Sequence, residues 1–279
     1  MTEPHVTFAN PPKKGGETMK DTATIAVCIV GRNASSYIGD ALDSLLVQSV
    51  PANEVIYYDD GSTDDTLRIV REFEGLLPGL RVIEGGKNVG ISAARNRANQ
   101  LVESDFIAVL DADDILDATA IESYLDFLER NPKVDLAYGN SWIFQGDPES
   151  GFVRQYPRFR TAREGIRSVL GAPLLPMKHS SIMYRRETIE ALGGYDESFP
   201  IKVDIELFLR FLSGGLVVQK IDKTISLHRK HRGQVSTRRI GGLSAYRRLV
   251  SLYEPNLFVR AGLLSTRVPA EVAKWMIRG

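Results

Sequence analysis

The chain has 279 residues and equal numbers of basic (Lys plus Arg) and acidic (Asp plus Glu) residues, 35 of each, so its formal net charge is zero. Its single cysteine, Cys28, excludes an internal disulfide and a multi-cysteine metal site. With no apolar run of 18 residues, we expect no membrane-spanning helix. The charge is unevenly spread, because residues 226–279 hold 11 Lys and Arg against 2 Asp and Glu. Such a basic region fits phosphate groups or an anionic membrane face, or else a solvated surface.

Residues 1–23 combine Pro, Gly and scattered Lys without the apolar centre of a signal peptide. We expect a disordered tail there. From residue 24 onward, apolar stretches alternate with amphipathic helical stretches. Strands are predicted at residues 24–30, 54–58, 80–84 and 106–110. This alternation predicts a doubly wound, mostly parallel sheet flanked by helices.

Three of these strands end in polar loops. The loops are Gly31-Arg32-Asn33, Asp59-Asp60-Gly61-Ser62 and Asp111-Ala112-Asp113-Asp114. Ligands of open α/β sheets bind at the carboxyl ends of the strands, so the loops outline a nucleotide-binding crevice. The crevice has neither a Gly-x-Gly-x-x-Gly dinucleotide fingerprint nor a P-loop.

The loop at 111–114 brings three carboxylates within four residues, directly after the buried strand at 106–110. Like charges this close repel each other unless a cation or a donor-rich ligand offsets them. A divalent metal that holds a diphosphate would do so, because hard cations take oxygen ligands and complete their shell with phosphates. The alternative is a solvated acidic turn that caps the next helix.

The second half of the chain is less regular. After a helix at 118–130, short strands are predicted at 134–138, 141–144 and 179–184. A helix that carries Asp204 in its first turn follows, and then strands at 216–220 and 224–227. We therefore expect a nucleotide-binding half at 24–117, an acceptor-binding half at 118–240 and a basic helical extension at 241–279.

The motifs together resemble a known family. Asp59-Asp60-Gly61-Ser62-Thr63-Asp64, Asn88 to Asn96, Asp111-Ala112-Asp113-Asp114 and a helix led by Asp204 follow in the order found in family 2 glycosyltransferases. The resemblance covers residues 24–238. It implies the GT-A fold, a nucleotide-sugar donor and transfer with inversion at the anomeric carbon.

The resemblance also implies roles for particular residues. Asp60 would bind the pyrimidine ring, and Asp111 would bind the ribose or the water shell of the metal. Asp113 would ligate Mg²⁺ or Mn²⁺, with either Asp113 or Asp114 as the actual ligand, and His231 would close over the diphosphate and can ligate the metal. Asp204 would be the catalytic base. The remaining residues expected at the donor are Arg32, Arg95 and Ala112.

Each role has a plainer alternative. Asp204 could cap its helix, and His231 could be a surface histidine. Arg95 could be solvated on its helix, and Asp60 could only form a turn. Two other functions also stay open, which are a phosphotransferase with an Asp-x-Asp nucleophile and a sugar-nucleotide-binding subunit without turnover.

The expected partners are a nucleotide-sugar donor, with UDP favoured, and a glycan or lipid-linked acceptor, as in the synthesis of surface polysaccharides. We expect no nucleic-acid partner and a cytoplasmic location. Peripheral contact with the membrane through the basic extension is an alternative to a helix that simply packs on the catalytic domain.

Overall fold

The structure is a computed structural model that describes residues 23–171, 177–231, 233–234 and 242–265. The tail predicted at 1–23 lies outside the described residues except for its last residue, as do most of the segment from 232 to 241 and residues 266–279 of the predicted extension. Every helix in the described ranges is too short or too polar to cross a membrane.

One nine-stranded sheet runs through both halves of the chain. The strands are β1 (Ile25–Gly31), β2 (Glu54–Asp59), β3 (Leu80–Glu84), β4 (Phe106–Asp111), β5 (Ile115–Leu116), β6 (Leu136–Phe144), β7 (Gly151–Arg154), β8 (Ile182–Arg185) and β9 (Val218–Arg229). Their order across the sheet is β3-β2-β1-β4-β8-β6-β9-β5, and β7 pairs with β6.

The helices cover both faces of this sheet. They are α1 (Ile38–Leu46), α2 (Thr66–Glu72), α3 (Ile91–Asn99), α4 (Ala120–Arg130), α5 (Ala162–Gly171), α6 (Arg186–Ala191), α7 (Val203–Ser213) and α8 (Gly242–Tyr253). A further helical segment covers residues 257–265. The α/β fold class predicted from the sequence, a sheet flanked by helices, is confirmed.

The first four strands of the sheet are parallel, as the strand-helix alternation predicts. β1, β2 and β4 are buried on both faces, whereas the edge strand β3 is only partly buried. Successive side chains of a strand point to opposite faces of the sheet. In β4, Ile107 and Val109 face the core under α3, α5, α7 and α8, whereas Phe106, Ala108 and Leu110 face the core under α1, α2 and α4. This alternation leaves Asp111 at the carboxyl end of β4, on the side of α3.

The second half of the sheet is mixed rather than parallel. β8 runs antiparallel to β4 and β6, while β9 runs parallel to β6. Two pairs of predicted short strands are each one continuous strand, β6 and β9, whose register shifts between Tyr138 and Ser141. Gly139 lies at this irregularity, where a Cβ would collide with Ile225. Residues 179–181, predicted as strand, form a 3₁₀ turn ahead of β8.

The predicted helix in the carboxyl-terminal extension is present as α8. Tyr246, Leu249 and Val250 are buried in the core that α5 and α7 share. The Tyr246 hydroxyl donates a hydrogen bond to the carbonyl oxygen of Leu170, at 2.9 Å. The extension therefore packs on the main domain through its apolar face, and this leaves Arg247 exposed.

Candidate functional site

The first group of site residues surrounds Asp111 at the end of β4. Arg95, on α3, donates a hydrogen bond to Asp111 Oδ1 at 2.7 Å, and His179 Nδ1 lies 3.1 Å from the same oxygen. Burial alone would raise the pKa of Asp111, but the charges and hydrogen bonds of His179 and Arg95 hold it well below its ordinary value. Arg95 is therefore an ion-pair partner of Asp111 and not a solvated helix residue.

His179 extends this group into the core. Its Nε2 lies 2.8 Å from the hydroxyl of Tyr195, whose oxygen lies 3.2 Å from that of Tyr184. All three side chains are buried. These polar contacts fix the imidazole ring of His179, which therefore orients the Asp111 carboxylate from the side of the core.

The second group pairs Asp113 with His231. His231 Nε2 lies 2.9 Å from Asp113 Oδ2, and the imidazole ring packs at a centroid distance of 4.3 Å from the ring of Tyr37. Burial raises the pKa of Asp113, and the neighbouring charges of Asp114 and Asp111 raise it further, while His231 opposes the shift. The structure thus brings together the two residues expected at a metal and excludes a freely solvated His231.

Asp114 has a different environment from Asp113. It is 2% exposed and accepts hydrogen bonds from Ser180 Oγ at 2.5 Å, from His228 Nδ1 at 2.9 Å and from the Arg229 amide at 3.1 Å. The Asp113 side chain, by contrast, is 28% exposed. Asp114 is occupied in joining β4, β9 and the turn before β8, which leaves Asp113 as the carboxylate available to a ligand.

Asp204 lies at the start of α7, the helix that packs on the same face of the sheet as α3. Burial would lower the pKa of Arg95, but the charges of Asp111 and Asp204, together with Tyr195, raise it above its ordinary value. The charges of Asp204 and Asp111 also oppose the lowering of the Lys178 pKa that burial causes. The Asp204 carboxylate is therefore near enough to act on the charges of Arg95 and Lys178, and it belongs to the same charged cluster as Asp111 and Arg95.

The position of Asp204 on its helix suits a reactive carboxylate. Lys202, which caps α7, has a left-handed backbone with φ of 60° and makes no side-chain capping hydrogen bond. Among the described residues, no hydrogen-bond donor is paired with the Asp204 carboxylate. The positive end of the helix dipole favours its negative charge, while its oxygens stay available to a substrate.

The third group lies at the ends of β1 and β2. The Asp60 carboxylate is buried and accepts hydrogen bonds from the backbone amides of Val89 at 2.7 Å and Gly90 at 3.1 Å. The exposed Arg32 side chain donates to the Gly61 carbonyl at 3.4 Å. Asp60 thus holds the loop that leads into α3, and Arg32 lies at the mouth of this part of the crevice.

Ala112 stands apart from the other predicted donor-binding residues. Its side chain is 7% exposed and packs in the core under α1, α2 and α4. Only its backbone could therefore face a donor.

Two residues of the cluster were missed in the sequence, Lys178 and His228. Lys178 Nζ lies 2.8 Å from His228 Nε2, and His228 in turn contacts Asp114. Burial lowers the pKa of Lys178, while the charges of Asp114, Asp204 and Asp111 oppose the shift. A signal for His228 was present, because Thr224, Ser226 and His228 repeat with the period of two that places side chains on one face of a strand.

Cavity size does not mark this site. A groove of about 1150 Å³ lies between α4 and the start of β9, and its lining includes the ion pair of Arg158 and Asp222. Among the described residues, none of those predicted to bind donor or metal lines this groove.

Comparison with known proteins identifies the family of the chain. The family model described as "Glycosyl transferase family 2" matches residues 26–193. The chain is 30% identical over 201 residues to chondroitin synthase of Escherichia coli, a match that covers 71% of this chain and 28% of that protein. It is 26% identical over 243 residues to the UDP-Glc:alpha-D-GlcNAc-diphosphoundecaprenol beta-1,3-glucosyltransferase WfaP of Escherichia coli, which covers 82% of this chain and 91% of that protein.

Among solved structures, S. aureus TarS (residues 1–349) in complex with UDP-GlcNAc superposes with a TM-score of 0.66 at 19% identity. That match covers 86% of this chain and 70% of the TarS chain, and it shows a shared fold. The family match spans more than half of the chain and includes the loops that carry Asp60, Asp111 and Asp113. The chain therefore belongs to glycosyl transferase family 2, a family of transferase enzymes.

Proposed function

We propose that the chain is a metal-dependent, inverting glycosyltransferase that moves a sugar from a nucleoside-diphosphate sugar, with UDP favoured, to a hydroxyl group of a glycan or lipid-linked acceptor. The observation that carries this proposal is that acidic groups from the loop after β4 and from the start of α7 lie near the same cationic side chains. Asp111 pairs with Arg95, and Asp113 pairs with His231. The charge of Asp204, on α7, acts on Arg95 as well. The names of two relatives, a chondroitin synthase and a glucosyltransferase for a diphosphoundecaprenol-linked sugar, support a role in the synthesis of polysaccharides such as those of the cell surface.

The donor set at Asp113 and His231 fits a divalent cation that is shared with a substrate. Within the described ranges, no three His, Cys, Asp or Glu side chains come together as a complete metal site. Mg²⁺ in particular is commonly held by one or two carboxylates together with substrate phosphates. Asp113 and His231 would hold Mn²⁺ or Mg²⁺, which when bound offsets the negative charge of the diphosphate.

The remaining residues supply the other requirements of glycosyl transfer. Asp204 takes the proton of the acceptor hydroxyl group. The oxygen of that hydroxyl bonds to the anomeric carbon on the side opposite the diphosphate, and the bond between the anomeric carbon and the diphosphate oxygen breaks. The pair of Arg95 and Asp111 gives a rigid wall at the carboxyl end of β4, against which donor and acceptor are aligned.

A panel of nucleotide sugars with Mn²⁺ tests the proposal. Release of nucleoside diphosphate, slow with water and faster with a glycan acceptor, is the expected result. Release of inorganic phosphate would instead favour a phosphotransferase. Binding without any release would favour a sugar-nucleotide-binding subunit.

We also propose peripheral contact with an anionic membrane at the carboxyl-terminal region. Beyond α8, Leu257 and Phe258 begin a further helix at 257–265 and are 70% and 90% exposed. Exposed apolar side chains in a basic region are typical of helices that lie in the membrane interface. Sedimentation with anionic and with zwitterionic liposomes tests this, since a full chain that stays in the supernatant with both would overturn it. Phe258→Ser should weaken the binding.

A further inference from the structure

Two cationic residues, Arg154 and Lys178, lie along one edge of β6, beside the charged cluster of Asp111 and Arg95. β8 pairs with residues Leu136 to Tyr138 of β6, and β7 pairs with Ser141 to Phe144 along the same edge. Both strands run antiparallel to β6. The last residue of β7, Arg154, therefore comes next to the turn that precedes β8, and this turn begins at Lys178.

The side chains of Arg154 and Lys178 belong to the same face of the sheet. Arg154 stands directly opposite Ser141 in the ladder, and paired residues of neighbouring strands project to the same side. Ser141 Oγ lies 2.7 Å from Ser181 Oγ and 3.3 Å from Ser226 Oγ, which places the turn and β9 on that face. His228, two residues after Ser226, shares this face and holds Lys178 at 2.8 Å.

Neither cation is neutralised by an ion pair. In the described part of the chain, Arg154 and Lys178 have no carboxylate within ion-pair distance, although both are partly buried. The contact with His228 uses one of the three N–H donors of Lys178, which leaves two. Asp114, the acidic group with the largest effect on Lys178, is already occupied by Ser180, His228 and the Arg229 amide.

A buried hydroxyl adds to this arrangement. Tyr156 is 4% exposed, and its Oη, near Ser141, makes no hydrogen bond of good geometry within the described residues. Tyr156 follows Arg154 by two residues, and its backbone amide donates to Asn140 Oδ1 at 3.2 Å, next to Ser141. A polar group that is buried without a partner costs free energy, which a ligand or a water bound here would recover.

From this placement we propose that Arg154 and Lys178 form an anion site on the acceptor side of the centre, which binds a carboxylate or phosphate group of the acceptor next to the hydroxyl that Asp204 deprotonates. The proposal rests on the function proposed above and adds the substrate class, an acidic acceptor. A fork of guanidinium donors beside a fixed ammonium group matches the oxygens of either anion.

Binding to the full chain with UDP and Mg²⁺ present tests the site. Wild-type protein should bind D-glucuronate or inorganic phosphate more tightly than D-glucose. Arg154→Gln should weaken binding of the anion at least about tenfold, the effect of losing a hydrogen bond to a charged group, and Arg154→Lys should restore part of it. Arg158→Gln is the matched control, because Arg158 lies four residues after Arg154 but is exposed and forms an ion pair with Asp222. Equal binding by wild type and Arg154→Gln would overturn the site.

A transfer assay with paired acceptors distinguishes the sources of the anion. The pairs are p-nitrophenyl β-D-glucuronide with the glucoside, for a carboxylate, and glucose 1-phosphate with methyl glucoside, for a phosphate. The ratio of kcat/KM for the charged to the neutral acceptor should fall about tenfold in Arg154→Gln. A matching loss of UDP affinity would place the anion in the donor and overturn the acceptor assignment. If wild-type protein releases no nucleoside diphosphate at all, the proposed function fails, while the anion titration still tests the site.

Discussion

The Asp113 carboxylate lies 2.9 Å from the imidazole of His231, although 118 positions separate the two residues in the chain. Asp114, the immediate neighbour of Asp113, is instead enclosed by Ser180, His228 and the Arg229 amide. The two adjacent carboxylates therefore have different roles. Asp113 stays partly exposed in the crevice, and Asp114 joins the strands that form the site.

This division predicts opposite outcomes for the two alanine variants. Asp113→Ala should fold normally and lose the part of the donor affinity that depends on Mn²⁺. Asp114→Ala should lower the free energy of unfolding by about 1–3 kcal/mol or more, because it leaves buried donors unpaired. Urea denaturation and UDP titration with and without Mn²⁺ measure the two effects. Unchanged donor affinity in Asp113→Ala would show that Asp113 is not the ligand.

Asp204→Asn tests the proposed base. The amide keeps the size of the side chain but cannot accept a proton, so kcat should fall by about 10²–10⁴-fold while the Kd for the donor stays within about twofold. Single-turnover transfer to an acceptor, with donor binding measured separately, gives both numbers. A rate equal to that of the wild type would remove Asp204 from the chemistry.

Glu206, two residues further along α7, should behave differently. Its carboxylate forms two hydrogen bonds with Arg210, at 3.0 and 2.7 Å, and both side chains are nearly buried. Glu206→Ala should cost about 3–5 kcal/mol of stability, since it leaves a buried charge without its partner.

The pair of Arg68 and Glu72 provides the control, with the same spacing of four residues but side chains 62% and 59% exposed. Glu72→Ala should cost only about 0.3–0.5 kcal/mol. Urea denaturation of both variants checks the contrast, and equal losses would contradict it.

Asp64 gives a prediction for acid stability. Burial would raise its pKa, but hydrogen bonds from Thr66 and Ser35 lower it from 3.8 to about 2. A carboxyl group whose pKa is lower in the folded state stabilises the fold above its unfolded pKa, and this contribution is lost as the pH falls through the folded pKa.

The wild type should therefore be more stable than Asp64→Asn by a constant margin above about pH 5, and the margin should shrink between about pH 4 and pH 2. Urea midpoints at several pH values measure it. A margin that grows on acidification would contradict the assignment.

Local patterns in the sequence were enough to predict the parallel half of the sheet and the acidic loop at its edge. The apolar run at 106–110 implies a strand buried on both faces, and a loop at the carboxyl end of such a strand is where a ligand site is expected. The amphipathic pattern after Asp204 likewise predicts α7. These elements depend on residues close together in the chain, whose periodicity is visible without a structure.

Only the tertiary structure decided which side chains meet. Asp113 contacts His231, whereas Asp114 contacts His228, so the two neighbours have separate roles. The tertiary structure brings Lys178 and Arg154 to one edge of β6. It also turns two pairs of predicted short strands into the continuous strands β6 and β9. Such contacts depend on strand order and register between distant segments, and no periodicity within a single segment encodes them.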